Sequence, residues 1–486
     1  MHPINRLNTR NLVPAALLCA STLLAMACSS DKGGSNEREG GAPDASTGGR
    51  QSGSGGTSAA GGAATGGSST GGKVGSGGGT PGAGGRGQVD GGTADAGDAS
   101  ASDSGSDAAD AAPPLAPLCA DAGAATSALL VAGTNYCATC TTSEVAAVDV
   151  SHRCVLGRAT FADSDVVPRA SNHHAFVIER TNGALSALSD SGEVTRRIEL
   201  DHKDGGAAGL NPHDVVYATP TGSAARAYVS LYFANAIAVV DVAGGGVSSR
   251  IDLASFHDAS DADGSSDPDV GFYDATNGRA YFVLQRTDLR TADAPPYAIH
   301  CPSVPSLLIA IDSATNQLVD LNGATAGVAL PLSLVGPTDV ALDTVGHRAL
   351  LLANGCVDQT GKRIHAGVES VNLDTLANAV LYTAPGDFPD HLTLLGPDSA
   401  AYESFDDNFA THWFGWQPSS STLGPELHDV PGFAVATDAN SLVGVAFDGT
   451  VPSVTRLDMT TKLVTKVVSS PWAGQFAAIA GVALVE

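Results

Sequence analysis

Basic residues are scarce in this 486-residue chain: 25 Lys and Arg stand against 51 Asp and Glu, a formal charge of −26. Nothing supplies the basic stripe that a phosphate backbone requires, which excludes nucleic acid as a partner and argues against charge-driven docking on an anionic membrane. No long stretch carries a helical period of apolar residues, so a helical bundle is excluded. Contiguous catalytic signatures are missing too. Leu115–Glu486 holds no G-x-S-x-G, and the chain has no H-E-x-x-H, P-loop lysine motif or strand-to-helix G-x-G-x-x-G. From Gly33 to Pro114 there is no Leu, Ile, Phe, Tyr or Trp at all. Such a segment cannot bury enough apolar surface to offset its ordering entropy, and it reads as a disordered tether.

What is present first is an address. Arg6 and Arg10 precede an apolar run, Leu12 to Ala27, that is short for a membrane span and ends Ala25-Met26-Ala27-Cys28. It resembles a bacterial lipoprotein signal, which implies removal of residues 1–27 and acylation of Cys28. The plainer alternative is an ordinary cleaved signal with a coincidental cysteine. A polar tether directly after Cys28 is what an anchored domain needs, so the expected partner here is a membrane held through an N-terminal lipid, most simply the bacterial outer membrane. The expected organisation is signal 1–27, tether 28–114 and folded domain 115–486. The even set Cys119, Cys137, Cys140, Cys154, Cys301 and Cys356 in an exported chain predicts disulfides. Thr141 stands where c-type haem attachment would need histidine, and no thioredoxin-like pattern surrounds Cys137-Ala138-Thr139-Cys140.

The folded part repeats. "AIAVVDV" at Ala236 to Val242 has relatives in "VAAVDV" (Val145), "ALSALSD" (Ala184), "LLIAIDS" (Leu307) and "GVESVNLD" (Gly367), with weaker ones at His412 and Val454. Most are preceded by an Asp, an apolar strand, a turn and a second strand, as in "PHDVVYATPTGSAARAYVSL" from Pro212 and "PTDVALDTVGHRALLLAN" from Pro337. Units of roughly 40–50 residues with four short strands are the mark of a β-propeller. The N-terminal unit matches only the second to fourth strands, and Phe476 to Val485 has no unit of its own. Together they predict an all-β, seven-bladed propeller closed by the C-terminal strand. "NPHDVVYATPTGSAARAYVSLYFANAIAVVDV", Asn211 to Val242, resembles a YVTN-type propeller repeat, with Tyr228-Val229-Ser230 near the naming motif. That resemblance implies a fold and no particular activity. Cys301 and Cys356 flank successive units, which predicts a bridge between neighbouring blades. The others pair most simply as Cys119–Cys137 and Cys140–Cys154.

Residues just before each innermost strand gather around a propeller's channel: Asp165, His213, Asp214, Asp269, Asp339, Asp390 and His391. They can bind a metal ion or cationic ligand, or each Asp can take backbone N–H bonds and lock one blade to the next. The loop Asp252 to Asp269 offers Asp261, Asp263 and Asp267 at EF-hand-like positions, but Ala259 and Val270 stand where the strongest ligands belong. Calcium or another divalent cation is the only cofactor these residues suggest; a solvated acidic loop is the alternative. Trp413 and Trp416, near Asp406, Asp407 and His412, suit either a carbohydrate or peptide surface or packing between blades. The expectation is a monomeric binding module for a protein or carbohydrate ligand. The alternative is a metal-dependent, lactonase-like propeller hydrolase using the channel carboxylates and histidines.

Overall fold

The repeated runs form the third strands of seven antiparallel sheets: Ser143–Asp149, Ala184–Leu188, Ala236–Asp241, Leu307–Asp312, Gly367–Asn372, Thr411–Trp416 and Val451–Asp458. The computed structural model describes residues 115–485 apart from 121–126, 136–139, 201–209, 258–263, 288–298, 324–327, 385, 407–409, 449–450, 475 and 477. The export segment, Cys28 and the tether therefore lie outside the described residues, as do Cys137, Asp261 and Asp263.

Each sheet is one blade of a seven-bladed β-propeller. The inner strands of blades two to seven are Val166–Ser171, Pro212–Ala218, Pro268–Asp274, Pro337–Asp343, Phe388–Gly396 and Gly432–Asp438, and each is followed by its blade's outer strands in chain order. The first blade borrows its inner strand from the C-terminus. Ala478–Val485 pairs antiparallel with Ala128–Thr134, in register Leu130 to Ala483, and so closes the ring. Among the described residues the only helix is a single 3₁₀ turn at Ala254–Phe256.

Why the third strands read as unbroken apolar runs is clear from the packing. The core consists of seven clusters, one at each joint between successive blades. In the third blade Ala238 and Val240 face the second blade, while Ile237 and Val239 face the fourth. Both faces are buried, so polar alternation disappears. Each fully buried Val, Leu or Ile side chain contributes about 1.5–3 kcal/mol.

The Asp or Asn that closes many of these runs is a turn device. Asp149, Asp241, Asp312 and Asp458 each accept backbone N–H bonds from residues two or three positions ahead, as Asn372 does with Asp374 and Thr375. Such Asx turns start the last hairpin of the blade.

Two disulfides are fully described. Cys301–Cys356 joins segments of the fourth and fifth blades, as expected. The other corrects the expected pairing of Cys119 with Cys137 and Cys140 with Cys154: Cys119 is bonded to Cys154, with Cα atoms 5.2 Å apart. The cause is a short parallel bridge. Cys119 N–H donates to Val155 C=O and Val155 N–H to Pro117 C=O, which lays the leading segment along the outer strand Cys154–Phe161. Cys140 is also disulfide-bonded.

Candidate channel site

A cavity of about 860 Å³ follows the inner strands, and all seven residues expected at the channel line it: Asp165, His213, Asp214, Asp269, Asp339, Asp390 and His391. Their placement rests on two backbone features. Asn211, Asp267 and Gly336 have φ of 43°, 48° and 63° immediately before Pro212, Pro268 and Pro337. The left-handed residue turns the chain into the disc, and Asn, Asp and Gly tolerate it best. Directly after the turn the pairing slips: the register shifts between Pro212 and Val215, Pro268 and Gly271, Pro337 and Asp339, Pro389 and His391, and Gly432 and Val435. Five successive blades thus carry a β-bulge at the same place. His213, Asp214, Asp269 and Asp390 are residues within those bulges, where a strand can re-aim its side chains.

Most of the carboxylates are engaged. Asp214 Oδ2 accepts the N–H of Gly271 on the next blade's inner strand at 2.7 Å, and Oδ1 accepts Arg169 Nε–H at 2.8 Å. Asp339 does the same two joints further on. Its Oδ2 accepts Leu392 N–H at 2.9 Å and lies 2.7 Å from His391 Nδ1, while Oδ1 accepts Val340 N–H. Hydroxyls take the corresponding role elsewhere: Ser171 Oγ accepts Tyr217 N–H, and Thr393 Oγ1 accepts Ala436 N–H. Blade-to-blade locking is therefore the structural duty of Asp214 and Asp339.

Asp269 and His213 belong to a second network. His213 Nδ1 donates to Asp269 Oδ1 at 3.0 Å, and Asn211 Nδ2 donates to His213 Nε2 at 3.1 Å. Burial lowers the His213 pKa against the pull of Asp269, consistent with this neutral tautomer. Tyr232 stacks on the imidazole, with ring centroids 4.2 Å apart, and its hydroxyl donates to Gln285 Oε1. Gln285 Nε2 in turn donates to Asp269 Oδ2 and to Pro337 C=O. Asp165 lies 3.8 Å from Arg180, and burial raises its pKa.

The sixth blade differs. Asp390 accepts no hydrogen bond among the described residues, and burial pushes its pKa up to about 6. Burial alone would lower the pKa of His391, but the Asp339 carboxylate raises it to about 9. Behind them Glu403 is almost wholly buried, and burial followed by the Asp390 charge holds its pKa well above the usual value.

Several contributors escape a sequence reading. Arg169 and Glu403 are single charges inside strands and Arg180 stands one residue past the end of one, all indistinguishable in the sequence from solvent-facing positions. Asp267 side-chain Oδ2 accepts Thr287 N–H, and the residue is buried. Trp413 and Trp416 are buried at the blade joints on either side. Among the described residues no three His, Cys, Asp or Glu side chains are grouped so as to hold a metal ion.

No protein-family model and no curated protein matches this sequence. Solved structures that resemble it include a Bacteroides fragilis protein assigned by name to the 6-phosphogluconolactonases (13% identity, TM-score 0.49, covering 75% of this chain and 100% of that one). Another is a Lactobacillus plantarum protein (12%, TM-score 0.49, covering 74% and 100%), and a third a hypothetical selenium-binding protein from Sulfolobus tokodaii (7%, TM-score 0.47, covering 74% and 93%). The seven-bladed fold itself rests on this chain's own sheet order and ring closure.

Proposed function

We propose that the chain is an extracytoplasmic propeller lipoprotein of the YVTN-repeat kind, anchored through Cys28, whose central channel takes a ligand. The observation that carries this reading is the engagement of the channel carboxylates. Asp214 and Asp339 hold neighbouring inner strands together, and Asp269 is committed to His213 and Gln285. What remains is a formed cavity with a polar wall on blades two to four and an apolar one at Phe388, Phe405, Phe433 and Ile479. Cavities of this size with few convergent polar groups are the usual form of a small-molecule site. A metal-dependent hydrolase needs ligating groups free to converge, whereas both ring nitrogens of His213 are engaged. The disulfides and the apolar run before Cys28 support the address.

Two assays test the proposal. The purified protein, offered a panel of lactones with Ca²⁺, Mg²⁺ or Zn²⁺, should hydrolyse them no faster than buffer. Metal-dependent turnover that disappears in Asp269→Asn would instead establish the hydrolase. Cys28→Ala should move the protein out of the membrane fraction; a variant that stays processed and membrane-bound would contradict the anchor.

A further inference from the structure

The sixth blade presents to the channel a carboxylate with no hydrogen bond among the described residues, and its neighbours decide what that group can do. Asp390 is the extra residue of the bulge between Pro389 and His391, and it lines the cavity together with Phe388 and Phe405. The titratable groups facing it are His391 on its own strand, Asp339 on the fifth blade's inner strand and Glu403 on the adjoining strand. The Asp339–His391 ion pair is internally neutral. Glu403 lies opposite His391, and burial followed by the Asp390 charge holds its pKa well above the usual value. Of these carboxylates, Asp390 is the one that both lines the cavity and accepts no hydrogen bond among the described residues.

Among the described residues His391 Nε2 is a buried atom without a hydrogen-bond partner, whereas Glu403 faces Trp413 directly across the strand pair and its carboxyl is drawn to the indole N–H. That imidazole N–H is a donor and calls for an acceptor, so the preference for a cation rests on the Asp390 carboxylate itself. A metal ion is disfavoured, because among the described residues no three ligating side chains converge there. An anion would meet Asp390 directly, and the nearest imidazolium is already bound to Asp339 at 2.7 Å. A cation with N–H donors is favoured locally, and the chain's −26 charge favours its approach.

We propose that the channel recognises an organic ammonium ligand, its charged nitrogen held by the Asp390 carboxylate and its body laid against Phe388 and Phe405. This rests on the reading of the channel as a binding site and names the class of ligand. Aromatic faces beside a carboxylate suit such a group, since the ring quadrupole attracts the cation. Arg363 already stacks over Phe388, with its guanidinium 4.5 Å from the ring centroid, so the Phe405 side remains for the ligand.

Three probes sharing one ring separate charge from shape: benzylammonium, benzyl alcohol and benzoate. Titration of the full protein is followed by calorimetry and by tryptophan fluorescence, since Trp413 packs edge-on against His391 with centroids 6.2 Å apart. Benzylammonium should bind at least about tenfold more tightly than benzyl alcohol, with benzoate weakest. Asp390→Asn, a nearly isosteric change, should abolish that preference. In the wild type, amine affinity should hold steady between pH about 6 and about 8, where the ligand stays an ammonium ion, and fall by about tenfold per unit below that range as Asp390 takes up its proton. Equal affinity for amine and alcohol would overturn the ammonium class while leaving a binding channel in place. Saturable binding by none of the three, or tightest binding by benzoate, would overturn the proposal as well.

Discussion

One residue type does three jobs in this molecule, and which job depends on what surrounds it. Asp241 sits at a turn and accepts one N–H from Gly244. Asp214 sits inside the disc and ties two blades together through Gly271 and Arg169. Asp390 accepts no hydrogen bond among the described residues. Asp214→Ala leaves a buried N–H unsatisfied and Arg169 without its ion partner, so it should cost about 2–3 kcal/mol, read as a lowered midpoint in denaturant unfolding. Asp241→Ala should cost about 1 kcal/mol or less; a result in the reverse order would refute the locking role. The channel set was legible at this scale because each member stands at the start of a Pro- or Asp-led strand. Their division into locks and a free carboxylate was not. That division depends on bulges and on Arg169, His391 and Glu403, whose orientation no local pattern encodes.

At the scale of the element, apolar runs buried on both faces announce third strands plainly, and all seven stand where the repeats put them. Irregular elements left weaker marks. Leu330–Pro331 adds a fifth strand to the fourth blade, and Cys356–Val357 pairs with Arg363–Ile364 in a separate hairpin, yet neither has a repeat to predict it. The Cys119 pairing was missed for a similar reason, since a single parallel bridge between Leu118 and Val155 decides it. The Cys301–Cys356 bond spans 55 residues and pins that hairpin beside the channel, where Ile299 and Gly355 line the cavity. Replacing both cysteines by serine should lower stability by about 4 kcal/mol on the loop-closure model. Thermal unfolding of the double variant measures it, and an unchanged melting temperature would show that the bond constrains nothing in the unfolded chain.

For the whole molecule, closure is the central claim, because without a closed ring there is no channel to bind anything. The final strand is held from three sides. It pairs with Ala128–Thr134, and Trp472 just before it donates its indole N–H to Val131 C=O at 2.9 Å. Glu144 accepts the N–H groups of Ala473 and Gly474. Ile479 and Ala483 pack into the joints on either side of the first blade. Seven joints in a ring support one another, so losing one strand exposes two apolar faces and an unpaired edge. The most direct test is the solubility and unfolding of a chain ending at Gln475. The account predicts an aggregated or non-cooperatively unfolding protein, while deletion of residues 33–112 leaves the melting temperature unchanged. A soluble chain ending at Gln475 that melts cooperatively at the full-length temperature would contradict the closed ring and the channel with it.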